Sequence, residues 1–269
     1  MVKLLFIGSV NGEWDIFFQK LKEVQSSAHG PFDVLFVVGK AFSTDEEFQT
    51  VLPRLRDLPE LKIYFLQYPP SLYIDNDDSN VAFLGPDKVG LINAHKNLTI
   101  AYAFGLTDQT YHSYMDTIRR STSNMAYRGC DALLTSSWPA DAYQFLEGAD
   151  MQDYTASGIG IGAGSRYVSE LALLTRPRYH FVADAGQFYQ RLPYKNVANS
   201  AGQCAVYTRL ISLHYTTPSK DKSLKWMHAL NIQPIIYMKT AELEEAPSLF
   251  SHCPYVAVGN NIGGGSGVG

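Results

Sequence analysis

Several groups that would point to common functions are scarce in this chain. Its three cysteines, Cys130, Cys204 and Cys253, are an odd number without CxxC spacing. Neither a disulfide framework nor a zinc knuckle is implied, and a reducing compartment fits best. No stretch approaches the roughly twenty apolar residues that span a bilayer, and the apolar run within Met1 to Val10 is too short for the core of a signal peptide. The chain is therefore expected to be soluble and unsecreted with no membrane partner, which leaves the Asn97-Leu98-Thr99 sequon without a role. Positive charge is not in excess: 22 Lys and Arg against 26 Asp and Glu give a net charge of −4. With a pI near 6.0, the chain lacks the electrostatic footprint of a protein that grips long nucleic acid through its phosphates. A local basic patch is compatible with that balance. The seven histidines are scattered, with no HxH and no HExxH spacing. There is no GxSxG elbow, and no histidine lies near Cys130 in sequence.

What is present is apolar core. A chain of 269 residues with 46% hydrophobic side chains can bury a large interior, and one large domain fits it better than two small ones. Lys3 to Ile7, Val34 to Val38, Ile63 to Leu66, Val81 to Leu84, Leu98 to Phe104 and Ala132 to Thr135 are short apolar runs, as expected of strands covered on both faces. Between them, helical periodicity places Trp14, Phe17, Phe18, Leu21 and Val24 on one face, and predicts further helices over 45–56, 109–123 and 165–175. Residues 151–164 are polar and then glycine-rich, reading as a long surface loop. From Tyr179 the pattern turns to strands, over 179–183, 187–192, 205–214 and 226–234. An α/β beginning with a β-rich end predicts two packed β-sheets flanked by helices. Residues 1–255 form this domain, and 256–269, ending in GGGSGVG, read as a flexible linker or tail.

Two local motifs are weak. Gly158-Ile159-Gly160-Ile161-Gly162-Ala163 fits GxGxxA ahead of a helix, a pattern that can cradle a pyrophosphate, but it follows a polar loop and not a strand, so a tight turn is the better reading. Asp75-Asn76-Asp77-Asp78 lacks the glycine and terminal Glu of a calcium loop and reads as solvated. The strand-end loops say more. The first carries Gly8-Ser9-Val10-Asn11-Gly12 and the second Gly39-Lys40. In a two-metal phosphoesterase such loops bear Asp, His or Cys, because bridging two divalent ions needs several anionic or imidazole donors at one point. Ser9, Asn11 and Lys40 cannot do this, so the frame points away from metal catalysis.

Read in order, IGSVNGEWD (7–15), FDVLFVVGKAF (32–42), IYFLQYPP (63–70), DALLTSSWP (131–139) and RPRYHFVADAGQFYQRLPYKN (176–196) resemble the lariat-debranching branch of the calcineurin-like metallophosphoesterases. With KWMHALNIQPI (225–235) added, they more closely resemble the N-terminal domain of the Cwf-nineteen-like, or CwfJ, spliceosomal proteins, from about Lys3 to Pro254. The resemblance implies a metallophosphoesterase sandwich with a vacated metal site. Ser9 and Asn11 stand at a cysteine and a histidine position, Lys40 at the bridging aspartate, and Tyr68-Pro69 at an Asn-His pair. Ser136 stands at the histidine before Trp-Pro, and Asp184 and Gly186 at a closing HxH. At about 4 Å and an effective dielectric near 20, a lysine ammonium repels a divalent ion by roughly 8 kcal/mol. No metal and no cofactor are expected.

The same residues could form an anion site, with Lys40 supplying charge and Ser9, Asn11, Ser136 and Ser137 supplying hydrogen-bond donors for phosphate oxygens. Alternatively, Lys40 pairs with Asp184 across the pocket and only stabilises the frame. Tyr68, Tyr73 or Tyr189 on loops could stack bases, and Arg176, Arg178, Arg191 and Lys195 could form a phosphate- or protein-facing patch. The resemblance implies a non-catalytic binding module in pre-mRNA splicing, in the nucleus, acting in post-spliceosomal complexes at intron-lariat release. Its implied partners are spliceosome components, the lariat debranching enzyme, which it would activate, and the intron-lariat RNA. The competing reading is an active phosphodiesterase with a rebuilt metal site acting on branched or other RNA.

Overall fold

A computed structural model describes residues 1–67, 80–84, 89–106, 108–183, 185–197, 204 and 206–256. In chain order the elements are β1 (Val2–Ile7), α1 (Trp14–Gln25), β2 (Val34–Val37), α2 (Asp45–Arg56), β3 (Lys62–Phe65), β4 (Val81–Phe83), β5 (Val89–Ala94), β6 (Leu98–Ala103), α3 (Asp108–Thr122) and β7 (Cys130–Thr135). There follow α4 (Gly148–Ala156), α5 (Arg166–Thr175), β8 (Pro177–Val182), β9 (Tyr189–Gln190), β10 (Tyr194–Lys195), β11 (Tyr207–Ser212), β12 (Met227–Ile232), α6 (Thr240–Leu243) and β13 (Ser251–His252).

The strands form two mixed sheets. One has the order β12-β1-β2-β3-β4, the other β13-β10-β11-β8-β7-β6-β5, with β9 paired to β11. Strands β1 to β4 are parallel, as are β6, β7, β8 and β11, whereas β12, β5 and β10 pair antiparallel to their neighbours. Side-chain alternation along each strand separates the core into layers. Leu4, Phe6, Val34 and Phe36 of the first sheet share one buried cluster with Ile100, Tyr102, Ala132, Leu134, Phe181 and Ile211 of the second. The opposite face of the first sheet, Leu5, Ile7, Leu35 and Val37, packs on Trp14, Phe17 and Leu21 of α1 and on Phe48, Val51 and Leu55 of α2. The outer face of the second, Ala101, Leu133, Val182 and Leu210, packs on Met115 and Ile118 of α3 and Leu171 and Ala172 of α5. The two sheets are joined by stacked rings, with Phe6 and Phe181 at 3.9 Å between centroids, flanked by Phe36 at 5.3 Å from Phe6.

Several expectations need correction. Residues 151–164 are not one loop, because α4 takes up 148–156 and buries Tyr154 among Trp138, Tyr143 and Tyr189. The strand expected over 187–192 shrinks to Tyr189–Gln190, and β5 was not anticipated. Tyr189 is a core ring and not a loop stacking platform. The arginines form no patch. Arg176 is fully buried and donates to the carbonyls of Cys204 (3.1 Å) and Tyr127 (2.8 Å). Arg191, also buried, donates to the carbonyls of Ala142 (2.6 Å), Leu192 (2.6 Å) and Gln144 (2.8 Å). Arg178 is clamped to the buried Asp131 at 3.1 Å and to the Gln233 carbonyl at 2.7 Å. Lys195 is exposed. Arg176 and Arg191 each donate to carbonyls of separate segments through a planar fork that a lysine lacks. Among the described residues no helix is long and apolar enough to cross a membrane.

Replacing Phe181 with Ala removes the ring that joins the sheets and should cost about 3–5 kcal/mol. Urea unfolding measures this, and a loss below about 1 kcal/mol would show that the sheets are held together elsewhere.

Candidate functional site

In both sheets the parallel strands run the same way, so their carboxyl ends collect at one rim, the usual place for a site in parallel α/β sheets. A cavity of about 430 Å³ there is lined by Ser9, Asn11, Lys40, Gln67, Phe104 and Tyr215. These residues follow β1, β2, β3, β6 and β11, so both sheets contribute.

The cavity wall is held by short polar contacts. The buried Ser9 hydroxyl accepts the Lys40 backbone N–H at 3.1 Å, and the Val10 N–H donates to the Lys40 carbonyl at 2.9 Å. Gly39 makes this approach possible, because a Cβ there would lie 2.1 Å from Ser9 Oγ and 2.8 Å from the Ala183 Cβ. Gln67 Oε1 accepts from the N–H groups of Ala41 (2.7 Å) and Phe42 (3.0 Å), and its Nε2 donates to the Phe42 carbonyl (2.9 Å). That fork fixes the loop carrying Lys40, whose side chain is exposed. Asn11 is exposed with φ 59°, a left-handed conformation that asparagine tolerates. Gly186, with φ 69°, leaves room for the Tyr215 ring, since a Cβ there would come within 2.8 Å of Tyr215 Oη.

Ser136 and Ser137 belong to a second cavity of about 420 Å³, with Trp138, Gly158, Gly160, Gly164 and Ala185. The glycine-rich segment thus faces the two serines. The cavities flank the Phe104-Gly105 turn, where the Gly105 N–H donates to Ser136 Oγ at 3.1 Å. Behind them, Thr135 Oγ1 donates to the Ser137 carbonyl at 3.0 Å and lies 2.8 Å from His180 Nε2. Burial pushes the His180 imidazole down to about 3, so the ring is neutral at physiological pH. With the Thr135 proton given to Ser137, His180 Nε2 carries the ring proton.

The structure therefore brings Ser9, Asn11 and Lys40 together and sets Ser136 and Ser137 next door. Tyr68, Tyr73, Asp75 to Asp78 and Asp184 lie outside the described residues. Among the described residues no group of three or more His, Cys, Asp or Glu side chains is placed to hold a metal ion. Gln67, Phe104 and Tyr215 were not anticipated as lining residues. Gln67 and Tyr215 immediately follow the runs 63–66 and 205–214 and Phe104 ends the run 98–104, so the strand-end rule applied to every run selects Gln67 and Tyr215.

Fold and cleft define a class: a two-sheet α/β protein whose strand-end site offers hydroxyl, amide and ammonium groups. No protein-family model matches the chain. It is 30% identical over 275 residues to CWF19-like protein 1 of Xenopus laevis, covering 95% of this chain and 49% of that protein. It is 30% identical over 286 residues to CWF19-like protein 1 of Mus musculus, covering 98% and 50%. With the Homo sapiens protein of the same name the identity is 29% over 274 residues, covering 94% and 48%. Similarity at this level over nearly the whole chain supports the CWF19-like family. The chain spans about half the length of the curated relatives it matches. A solved crystal structure aligns over 79% of this chain and 90% of its own, with a TM-score of 0.43 and 11% identity, too distant to define the fold.

His180 sets a pH dependence. Its folded pKa lies below the ordinary imidazole value near 6.5, so the unfolded chain binds the extra proton, and the contribution is complete above about pH 6.5 and lost as pH falls toward 3. Between pH 7 and 5 the wild type should lose about 2 kcal/mol more stability than His180→Gln. Equal losses in parallel urea titrations would contradict a neutral buried His180.

Proposed function

We propose that this chain is a non-catalytic binding module of metallophosphoesterase-like architecture, related to the lariat debranching enzyme, that acts in pre-mRNA splicing. The observation that carries this reading is the strand-end cleft. Where a phosphoesterase needs converging anionic and imidazole ligands, the described lining residues are Ser9, Asn11, Lys40, Gln67, Phe104 and Tyr215. A catalytic metal site uses about three protein ligands and an open position, and none of these six side chains is an acid or an imidazole. The Ser9 hydroxyl and the Gln67 amide are engaged in fixing the Lys40 loop. Their role on this reading is to hold the frame and to present the Lys40 ammonium at its mouth. A cation on an anchored loop beside hydroxyl and amide groups suits a phosphate oxygen, and on this reading the cleft is an anion-recognition surface in place of a hydrolytic one.

The similarity to CWF19-like proteins supports the biological setting. The module works in the nucleus with spliceosome components at intron-lariat release, where it associates with and activates the debranching enzyme and contacts the lariat intron. This role is that of the whole protein in which such a domain sits.

The test is metal content after incubation with manganese, zinc and ferrous iron under reducing conditions, followed by desalting and elemental analysis. Well below one equivalent is expected, and Lys40→Asp should not create phosphodiesterase activity on branched RNA. Stoichiometric metal in the wild type, with turnover that Lys40→Asp abolishes, would replace this reading with an active phosphodiesterase.

A further inference from the structure

A second surface stands out against the acidic balance of the chain. A groove of about 510 Å³ is lined by Lys20, Lys220, Lys222 and Lys225 together with Phe188, Leu224, Trp226 and Met227, and by Asp221 as its one acid. Asp221 is engaged locally, since its Oδ1 accepts the Ser223 N–H at 2.8 Å and caps the short turn over 222–224. Lys20 pairs with Glu23 at 2.9 Å. Among the described residues no carboxylate pairs with Lys220, Lys222 or Lys225, and Lys220 and Lys222 are exposed.

Lys225 is held in place. Its ammonium lies 5.5 Å from the centre of the Phe188 ring and 3.2 Å from His228 Nδ1. Burial and the neighbouring lysine push the His228 imidazole down to about 4, so the ring is neutral and accepts from the ammonium. The loop that carries the lysines is pinned at its base by Trp226 Nε1 donating to the Thr217 carbonyl (2.9 Å) and by the His214 N–H donating to the Lys225 carbonyl (3.0 Å). It also docks on the strand-end cleft, because the Thr216 N–H donates to the Ser9 carbonyl at 2.8 Å and the preceding residue, Tyr215, lines the Lys40 cavity.

We infer that this groove binds single-stranded RNA, with phosphates on Lys220, Lys222 and Lys225 and a base against the Phe188, Leu224 and Met227 wall. The inference rests on the binding-module reading and supplies its RNA-contacting surface. Charge complementarity favours a polyanion, and the apolar wall selects among polyanions: a nucleic acid brings a flat stacking face with every phosphate, whereas a run of acidic residues brings none. The Thr216–Ser9 hydrogen bond ties the loop that carries these lysines to the wall of the Lys40 cleft.

The experiment is fluorescence anisotropy of a labelled twelve-residue oligouridylate with the chain in EDTA, over a salt series, for wild type and the Lys220→Ala/Lys222→Ala double variant. The variant should bind at least about tenfold more weakly at moderate salt, and its slope of log K against log salt should fall by about 1.4, the loss of two single-strand phosphate contacts. Unchanged affinity and slope would overturn the inference, as would equal affinity for a twelve-residue glutamate peptide, which would make the ligand an acidic protein. Competition by uridine monophosphate as effective as that of the oligomer would also overturn it, in favour of a free nucleotide. Failure on any of these counts leaves the metal-content result untouched, and metal-dependent cleavage of RNA would remove the non-catalytic reading while leaving the groove result readable in EDTA.

Discussion

The packing of one sheet on the other determines where everything else lies. Phe6 and Phe181 stack across the interface at 3.9 Å, a contact tight enough that the two strands bearing them have a fixed separation. Close to that stack, β1, β2 and β8 end, and there the side chains become small: Gly8, Ser9, Gly39 and Ala183. Gly39 lies so near Ser9 and Ala183 that a Cβ would overlap both. The sheets therefore close together at the rim, and the loops that follow their parallel strands are gathered into one cleft. Its position is a consequence of strand direction and sheet distance, independent of the residues that happen to line it. Function must then be argued from the lining.

That lining differs in kind from the interior. Inside the protein, charge is matched locally. Asp131 has no exposed side-chain surface and is met by Arg178 and by the N–H groups of Thr99 and Ile235; burial still pulls its carboxyl upward against those partners. Glu170 sits 2.5 Å from Arg119, and burial pushes it up to about 7. Among the described residues Arg176 and Arg191 pair with no acid and instead collect carbonyls from loops around the second sheet. These groups are expensive to desolvate, and their contacts tie together segments far apart in sequence. At the cleft the logic is reversed. The side chains of Lys40, Lys220 and Lys222 are exposed, where a charge keeps most of its hydration.

Much of the frame was legible because burial on both faces leaves continuous apolar runs. LLFI, VLFVV and IYFL mark β1, β2 and β3 without ambiguity of type, and the spacing of Phe48, Val51, Leu52 and Leu55 marks α2 and its buried side. What escaped were elements whose sequences do not carry that signal. Among the described residues β5 pairs only with β6, at the sheet edge, and it includes Gly90, Asn93 and partly exposed positions. Helix α4 is short and mostly polar, made stable by a single buried ring, Tyr154. The arginines were misread for a related reason: sequence reports their charge, whereas their burial comes from loops over 127–129, 142–144 and 204 that fold against them from elsewhere. In the cleft, Ser9, Asn11 and Lys40 were found from their position after strands, and Gln67, Phe104 and Tyr215 were passed over because amide and aromatic side chains have no ligand signature of their own.

The hydrogen bond from Thr216 to the Ser9 carbonyl gives the two surface features a common origin. Residues 8–9 form one wall of the cleft, and residues 214–216 lead from β11 into the lysine loop. Anchoring one to the other means that the loop cannot be displaced without disturbing the turn on which the Lys40 backbone rests. A phosphoesterase positions the phosphate by metal ions and can leave the flanking strand loosely held. A site with no metal must obtain its hold from several weaker charge contacts along the strand, each lysine contributing a modest, salt-sensitive share. On the proposed reading, the Thr216–Ser9 hydrogen bond between the lysine loop and the cleft wall lowers the protein's share of the ordering cost. On that same reading, a cleft lined without metal ligands and a neighbouring loop that carries Lys220, Lys222 and Lys225 are two parts of one physical solution.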